Sequence, residues 1–221
     1  MTRKPKSIEN VPHSVPLFPL SGALLFPRLQ SPLQIFEPRY LQLVDDVLAG
    51  DRLIGMIQPE ATDKESPEGR DAPLRRVGTL GYLVHFEEIG DDRYLIGLEG
   101  VSRFDLGDEI ACDTPYRQAG ISVSRFHSDF DKVSPTRGVD RQRFIEVMRS
   151  YIDFLDMEID WDEVEQTDTA DLVNLGCMLS PYGPSEKQLL LETVSLSERA
   201  ETLLALVEME MAQAQSGTIL Q

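Results

Sequence analysis

Near Phe130 the chain changes its apolar rhythm, and that change limits the folds open to it. Before that point apolar residues come in short runs bounded by turn residues. Val77–Ile89 alternates well enough for a strand, Gly90-Asp91-Asp92 is a hairpin turn signal, and Arg93–Leu98 returns. Val101–Ile110 and Tyr116–Phe126 complete a meander, while Arg52–Gln58 supplies an earlier run of strand length. After Phe130 the period becomes 3.6: Phe144, Met148, Tyr151, Ile152 and Leu155 share one helical face. A β-rich half followed by a helical half is α+β order, not βαβ alternation, and no internal repeat is visible.

Four helices are predicted in the second half. The first spans Asp140–Asp156, and an acidic link around Trp161, Asp160–Gln166, follows it. Asp168 then N-caps a helix through Leu172, Leu175, Cys177 and Leu179 that stops before Pro181. Gly183-Pro184 opens a short helix, and Ser195 with Glu198 forms the capping box of the last, which runs to about Ala214. The expected layout is a polar tail at 1–13, a β subdomain at 14–131, a helical subdomain at 132–215 and a tail at 216–221. Pro59–Arg76 lacks apolar periodicity and reads as a flexible hairpin tip in preference to a functional lip.

Prolines punctuate the stretch from Val15 to Leu48. Pro16 and Pro19 interrupt the first apolar run, which predicts an edge or bulged strand because proline gives a ladder no N–H. Pro27 and Pro32 bracket a turn, Leu33–Phe36 is a short extended run, and Glu37-Pro38 marks a boundary. Pro38 then opens a helix carrying Tyr40, Leu41, Val44 and Leu48, which Gly50 ends.

The formal charge of −17 over 221 residues argues against a phosphate-binding surface and against anionic membranes. No run approaches the 20 or so apolar residues of a membrane span, and prolines break any signal-peptide core. The two cysteines, Cys112 and Cys177, suggest neither a disulfide framework nor a zinc site. A cytoplasmic protein is expected.

Three blocks carry a resemblance: Pro16–Leu20 with Leu25–Pro27, then Pro32–Tyr40 (PLQIFEPRY), then a helix. Together they resemble the start of the Lon protease N-terminal, substrate-binding domain. Weaker similarity continues through Val77–Gly81, Leu98–Phe104 and Lys187–Glu192. The resemblance implies a PUA-like β pseudobarrel followed by a C-terminal helical bundle. It also implies recognition of protein substrates without catalytic residues, and work beside a separate protease or chaperone; the expected means is an exposed apolar patch or sheet edge that captures unfolded or extended segments. No GxxxxGK[ST] occurs, so the expectation is a stand-alone form without the ATPase and protease modules.

No catalytic, cofactor or metal site is expected. Ser185 follows Gly183-Pro184, as a Lon protease serine would, but it opens an amphipathic helix with Lys187 on another face. His13, His85 and His127 are scattered, and the pairs Asp45-Asp46, Glu87-Glu88 and Asp91-Asp92 suit solvation. Candidate protein-binding residues are Phe26, Pro27, Phe36, Arg39 and Tyr40. Of these Phe36 is read as core, Phe26 is left open between core and surface, and Arg39 is expected to pair with Glu37 or a neighbouring acid. Met209 and Met211 are read as packing residues. An RNA-binding PUA-like protein is the first alternative, opposed by the charge and the lack of a Lys/Arg stripe; a small hydrolase is the second.

Overall fold

The computed structural model describes residues 4–60, 72–131, 136 and 138–218, with side chains through 214. The chain divides into two units, Met1–Val133 with Pro181–Glu192, and Ser134–Ser180 with Thr193–Gln221.

In the first unit six strands form one mixed sheet: β1 (Ser14–Pro19), β2 (Gln30–Ile35), β3 (Leu53–Pro59), β4 (Leu74–Gly90), β5 (Arg93–Ile110) and β6 (Gln118–Ser122). The order is β2-β5-β4-β3-β1-β6, and β5 also pairs with β6, so five strands close into a pseudobarrel with β2 attached outside. Leu17, Leu80 and Phe104 are fully buried in its core. The hairpin joining β4 to β5 turns on Asp91 and Asp92, both left-handed at φ 52, as a two-residue turn between right-twisted strands requires.

The edge placement predicted for the first strand is wrong, since β1 lies between β3 and β6. Its prolines survive because the strand changes partner halfway. Ser14–Pro16 pair with β6 and Leu17–Pro19 with β3, so neither proline leaves a gap in a two-sided ladder. Proline marks the edge at β2 instead, where Pro32 lies inside the strand and not in the preceding turn. The separate runs at 93–98 and 101–110 are one strand, because Gly100 admits a neighbouring backbone without ending the ladder.

Residues 4–13 are not a free tail. Lys4 pairs with Glu99, Ile8–Asn10 forms a 3-10 turn, and Val11 packs against the barrel core. Of the expected loop at 59–76, Pro59 ends β3 and Leu74–Arg76 begin β4; the flexible-tip reading falls on 61–71, outside the described residues.

Helix α1 (Pro38–Ala49) starts on Pro38 and turns Tyr40, Leu43, Val44 and Val47 inward. Its acidic pair meets the barrel through two phenols. Tyr94 donates to Asp45 at 3.2 Å, and Tyr116 donates to Asp46 at 2.6 Å. Burial, then that hydrogen bond, raises the Tyr116 phenol well above its ordinary value. The folded state therefore keeps this proton more tightly than the unfolded chain does. The resulting stability is intact below about pH 10, where the unfolded phenol titrates, and is lost as pH rises beyond it. Denaturant midpoints should fall more steeply above that pH in the native protein than in Tyr116→Phe; parallel profiles would refute the assignment.

Further helices are α2 (Arg141–Phe154), α3 (Trp161–Gln166), α4 (Thr169–Leu179), α5 (Pro184–Glu192) and α6 (Leu196–Thr218). The acidic link at 160–166 is thus helical, because the Asp160 carboxylate accepts from the N–H groups of Asp162 and Glu163. Helix α6 extends past the expected stop at Ala214. Helix α5 belongs to the barrel unit and not to the helical one. Gln188 donates to the Val77 carbonyl at 3.1 Å and accepts from Gln58 at 3.0 Å. Gln58 in turn donates to the Pro184 carbonyl at 3.2 Å and accepts from the Gly22 N–H at 2.8 Å. Within the second unit Phe144, Val173, Leu203 and Val207 are buried. Among the described residues no helix is long and apolar enough to cross a membrane.

Candidate protein-binding surface

Alternation decides where the candidates go. Successive residues of an extended chain face opposite sides, so where only one face is covered Ile35 and Phe36 part company. Ile35 is the inward one at 2% exposure, and Phe36, between β2 and the Glu37 cap of α1, stands 63% exposed. The core reading of Phe36 is therefore corrected, on a signal that the sequence already contained.

Phe26 and Pro27 go the other way, and both are buried. Pro27 bridges to Gly100, and Arg28 takes a left-handed φ of 70 to turn the chain. This loop is sealed onto β5 and offers no contact side chain from either residue. Tyr40 is also core, 6% exposed, and meets Phe18 edge to face with ring centroids 4.6 Å apart. Arg39 pairs with Glu37 at 2.7 Å and lays its guanidinium over the Tyr40 ring at 4.6 Å.

Of the five candidates only Phe36 and Arg39, the latter paired with Glu37, therefore reach the surface. What surrounds them follows from register. Gln34 pairs with Leu95 and Pro32 with Gly97, so these residues share the face opposite Ile35, Ile96 and Leu98. His85 and Glu87 of β4 lie on the same face by pairing with Gly97 and Leu95, and are 3.7 Å apart. Val84, at the bulge before His85, is 39% exposed, and Ile89 is 43% exposed. The outer side of the β2–β5–β4 layer thus carries several apolar side chains in water, beside β2, which among the described residues has a strand neighbour on one side only.

The other sequence candidates stay apart. His127 contacts the Ser124 carbonyl at 3.3 Å, Ser185 is exposed near the start of α5, and burial lowers the Lys187 ammonium. Cys112 and Cys177 are not joined in a disulfide, and Cys177 is buried. Among the described residues no group of three or more His, Cys, Asp or Glu could hold a metal ion.

The sequence reading missed a buried ion pair. Arg103, 2% exposed, donates to Asp129 from Nε at 3.0 Å and from a terminal nitrogen at 2.8 Å. It donates also to the Leu191 carbonyl at 3.2 Å, near the end of α5, and lies 4.5 Å from the Phe126 ring centre. An arginine and an aspartate far apart in sequence give no local signal of such a pair.

Comparison with known proteins bears on most of the chain. Residues 14–209 match the family model described as the ATP-dependent protease La (LON) substrate-binding domain. The Lon protease of Desulfosudis oleivorans is 31% identical over 124 residues, 56% of this chain and 15% of that protein. Lon protease 2 of Myxococcus xanthus is 25% identical over 203 residues, 90% of this chain and 24% of that protein. The chain thus spans a quarter or less of these two relatives. The crystal structure of a Lon N-terminal domain protein from Xanthomonas campestris aligns over 87% of this chain and 97% of its own, with TM-score 0.59 and 23% identity. The N-terminal domain of Mycobacterium avium complex Lon protease aligns over 88% and 98%, with TM-score 0.64 and 14% identity. At such identities these likenesses establish the fold, the α+β pseudobarrel with a helical part, and nothing further.

Proposed function

This chain belongs to the LON substrate-binding domain family, and from that premise we propose that it binds unfolded or extended protein segments without acting on them chemically. The observation that carries the proposal is Phe36, an aromatic side chain 63% exposed on an otherwise ordered surface. Aromatic residues dominate contact energies at interfaces, and exposed apolar groups held beside a strand edge suit an extended ligand. A bound segment lies against the outer face of the β2–β5–β4 layer, with apolar side chains on Phe36 and Leu95. Pro32 withholds one N–H from the free edge of β2, so side-chain contacts outweigh strand addition there.

The Arg39–Glu37 pair borders this surface and holds the start of α1 in place next to Phe36. Segments captured here pass to a separate protease or chaperone in protein quality control. Two cysteines outside any disulfide suit a reducing compartment, the cytoplasm.

The test is capture of a reduced, denatured model protein on immobilised full chain. Phe36→Ser should weaken capture roughly ten-fold. Its unfolding free energy should stay within about 0.5 kcal/mol, because the ring is largely in water. Unchanged capture by Phe36→Ser would remove this surface from the reading. Absence of capture by the native chain would remove the reading itself.

A further inference from the structure

The helical unit holds a second set of exposed apolar side chains. Helix α2 ends at Phe154, Asp156 turns the chain left-handed at φ 55, and a short segment leads to the Asp160 cap of α3. Along it Phe154, Met157 and Ile159 are 44%, 52% and 37% exposed. The site is ordered. The Phe154 ring stacks on Tyr151 with centroids 6.2 Å apart, and the Tyr151 hydroxyl donates to Glu210 at 2.7 Å. Arg149 covers the half-buried Trp161 ring at 4.1 Å. Arg141 ties the end of α3 to α4 through the Val164 and Glu165 carbonyls and the Thr169 hydroxyl.

Along the chain the charge here is one-signed, and the cations packed against it are Arg149, over Trp161, and Arg141, at the end of α3. Asp153, Asp156, Glu158, Asp160, Asp162, Glu163 and Glu165 lie between 153 and 165, and no Lys, Arg or His occurs from Ser150 to Glu186. Among the described residues none of these seven carboxylates is in an ion pair, whereas Arg143 on the same unit pairs with Glu201 at 2.8 Å. Helical surfaces ordinarily intersperse opposite charges three or four residues apart. Here like charges repel one another around apolar groups left in water, and a ligand of the opposite sign relieves both conditions at once.

We propose that the Phe154–Met157–Ile159 strip docks a basic amphipathic polypeptide segment, its Lys and Arg residues interleaved with apolar side chains. The assignment rests on the reading that the chain binds protein segments, and adds which segments it prefers. Apolar side chains of the ligand cover Phe154 and Met157, and its cations lie against Asp153, Asp156 and Glu158. Nucleic acid is the wrong sign for this surface.

The experiment measures full-chain binding of two labelled synthetic peptides with one apolar pattern, one carrying Lys and the other Glu between the apolar positions. The Lys peptide should bind roughly ten-fold more tightly, and the difference should shrink in about 0.5 M salt. Asp153→Asn, Asp156→Asn and Glu158→Gln together should remove most of the preference. Asp108→Asn, Asp113→Asn and Asp131→Asn together remove the same charge from the barrel unit and should leave it. Phe154→Ser with Met157→Ser should weaken binding of the Lys peptide. Equal affinity for the two peptides, or equal effects of the two charge-removing variants, overturns the proposal while leaving capture of denatured protein standing. A dimer in sedimentation that Phe154→Ser dissociates overturns it in favour of a second copy of this chain. If neither peptide nor denatured protein binds, the reading beneath it falls as well.

Discussion

Replacing Arg103 with methionine is expected to cost the barrel unit about 3–5 kcal/mol of unfolding free energy. The guanidinium is 2% exposed and the Asp129 carboxylate 8% exposed, so water does little to screen the pair. The carboxylate also accepts from the backbone N–H of Arg103 at 2.9 Å, which anchors the 3-10 segment Ser124–Phe130 against β5. Methionine fills much of the space but leaves Asp129 buried without its cation, and it strips a donor from the Leu191 carbonyl at the end of α5. Removing one partner of a buried pair is far more damaging than removing both. Arg103→Met with Asp129→Leu should therefore recover a large part of the loss. Urea denaturation of the three variants measures it. A single substitution costing under about 1 kcal/mol would show that the pair contributes little.

Gly100→Ala should do as much harm with one added methyl group. A β-carbon there would stand 2.0 Å from the Phe26 carbonyl oxygen, 2.6 Å from its carbon and 3.0 Å from the Pro27 nitrogen. These are backbone atoms and cannot swing aside. The loop is fastened to the same residue, with the Arg28 N–H donating to the Gly100 carbonyl and the Gly100 N–H to the Leu29 carbonyl, each at 2.9 Å. The loss should reach about 4 kcal/mol or more, enough to prevent folding of a marginally stable domain. Gly120→Ala is the control, since its added carbon meets nothing nearer than 3.7 Å. Thermal unfolding of both variants gives the answer, and similar midpoints would overturn the argument.

Legibility from sequence follows how local the cause is. The strand-to-helix order, the Asp91-Asp92 hairpin and the start of α1 at Pro38 each depend on neighbouring residues, and each reads correctly. Phe36 was legible but weighed wrongly: hydrophobicity suggested core, while alternation with Ile35 already pointed outward. The packing of Phe26 was not legible, because it depends on Gly100, which lies far along the chain. Arg103 with Asp129, and Gln58 with Gln188, were hidden for the same reason. Proline misled at β1 because its rule concerns ladders with neighbours on both sides, and β1 changes neighbour between Pro16 and Leu17.

Helix α5 has a consequence for how the protein is made. During synthesis the strands emerge first, then residues 134–180, and only afterwards Pro184–Glu192. Until that last segment leaves the ribosome, Gln58 lacks the Gln188 side chain and the Pro184 carbonyl, and Arg103 lacks the Leu191 carbonyl. The nascent barrel therefore waits, incompletely bonded, while most of another structural unit is translated.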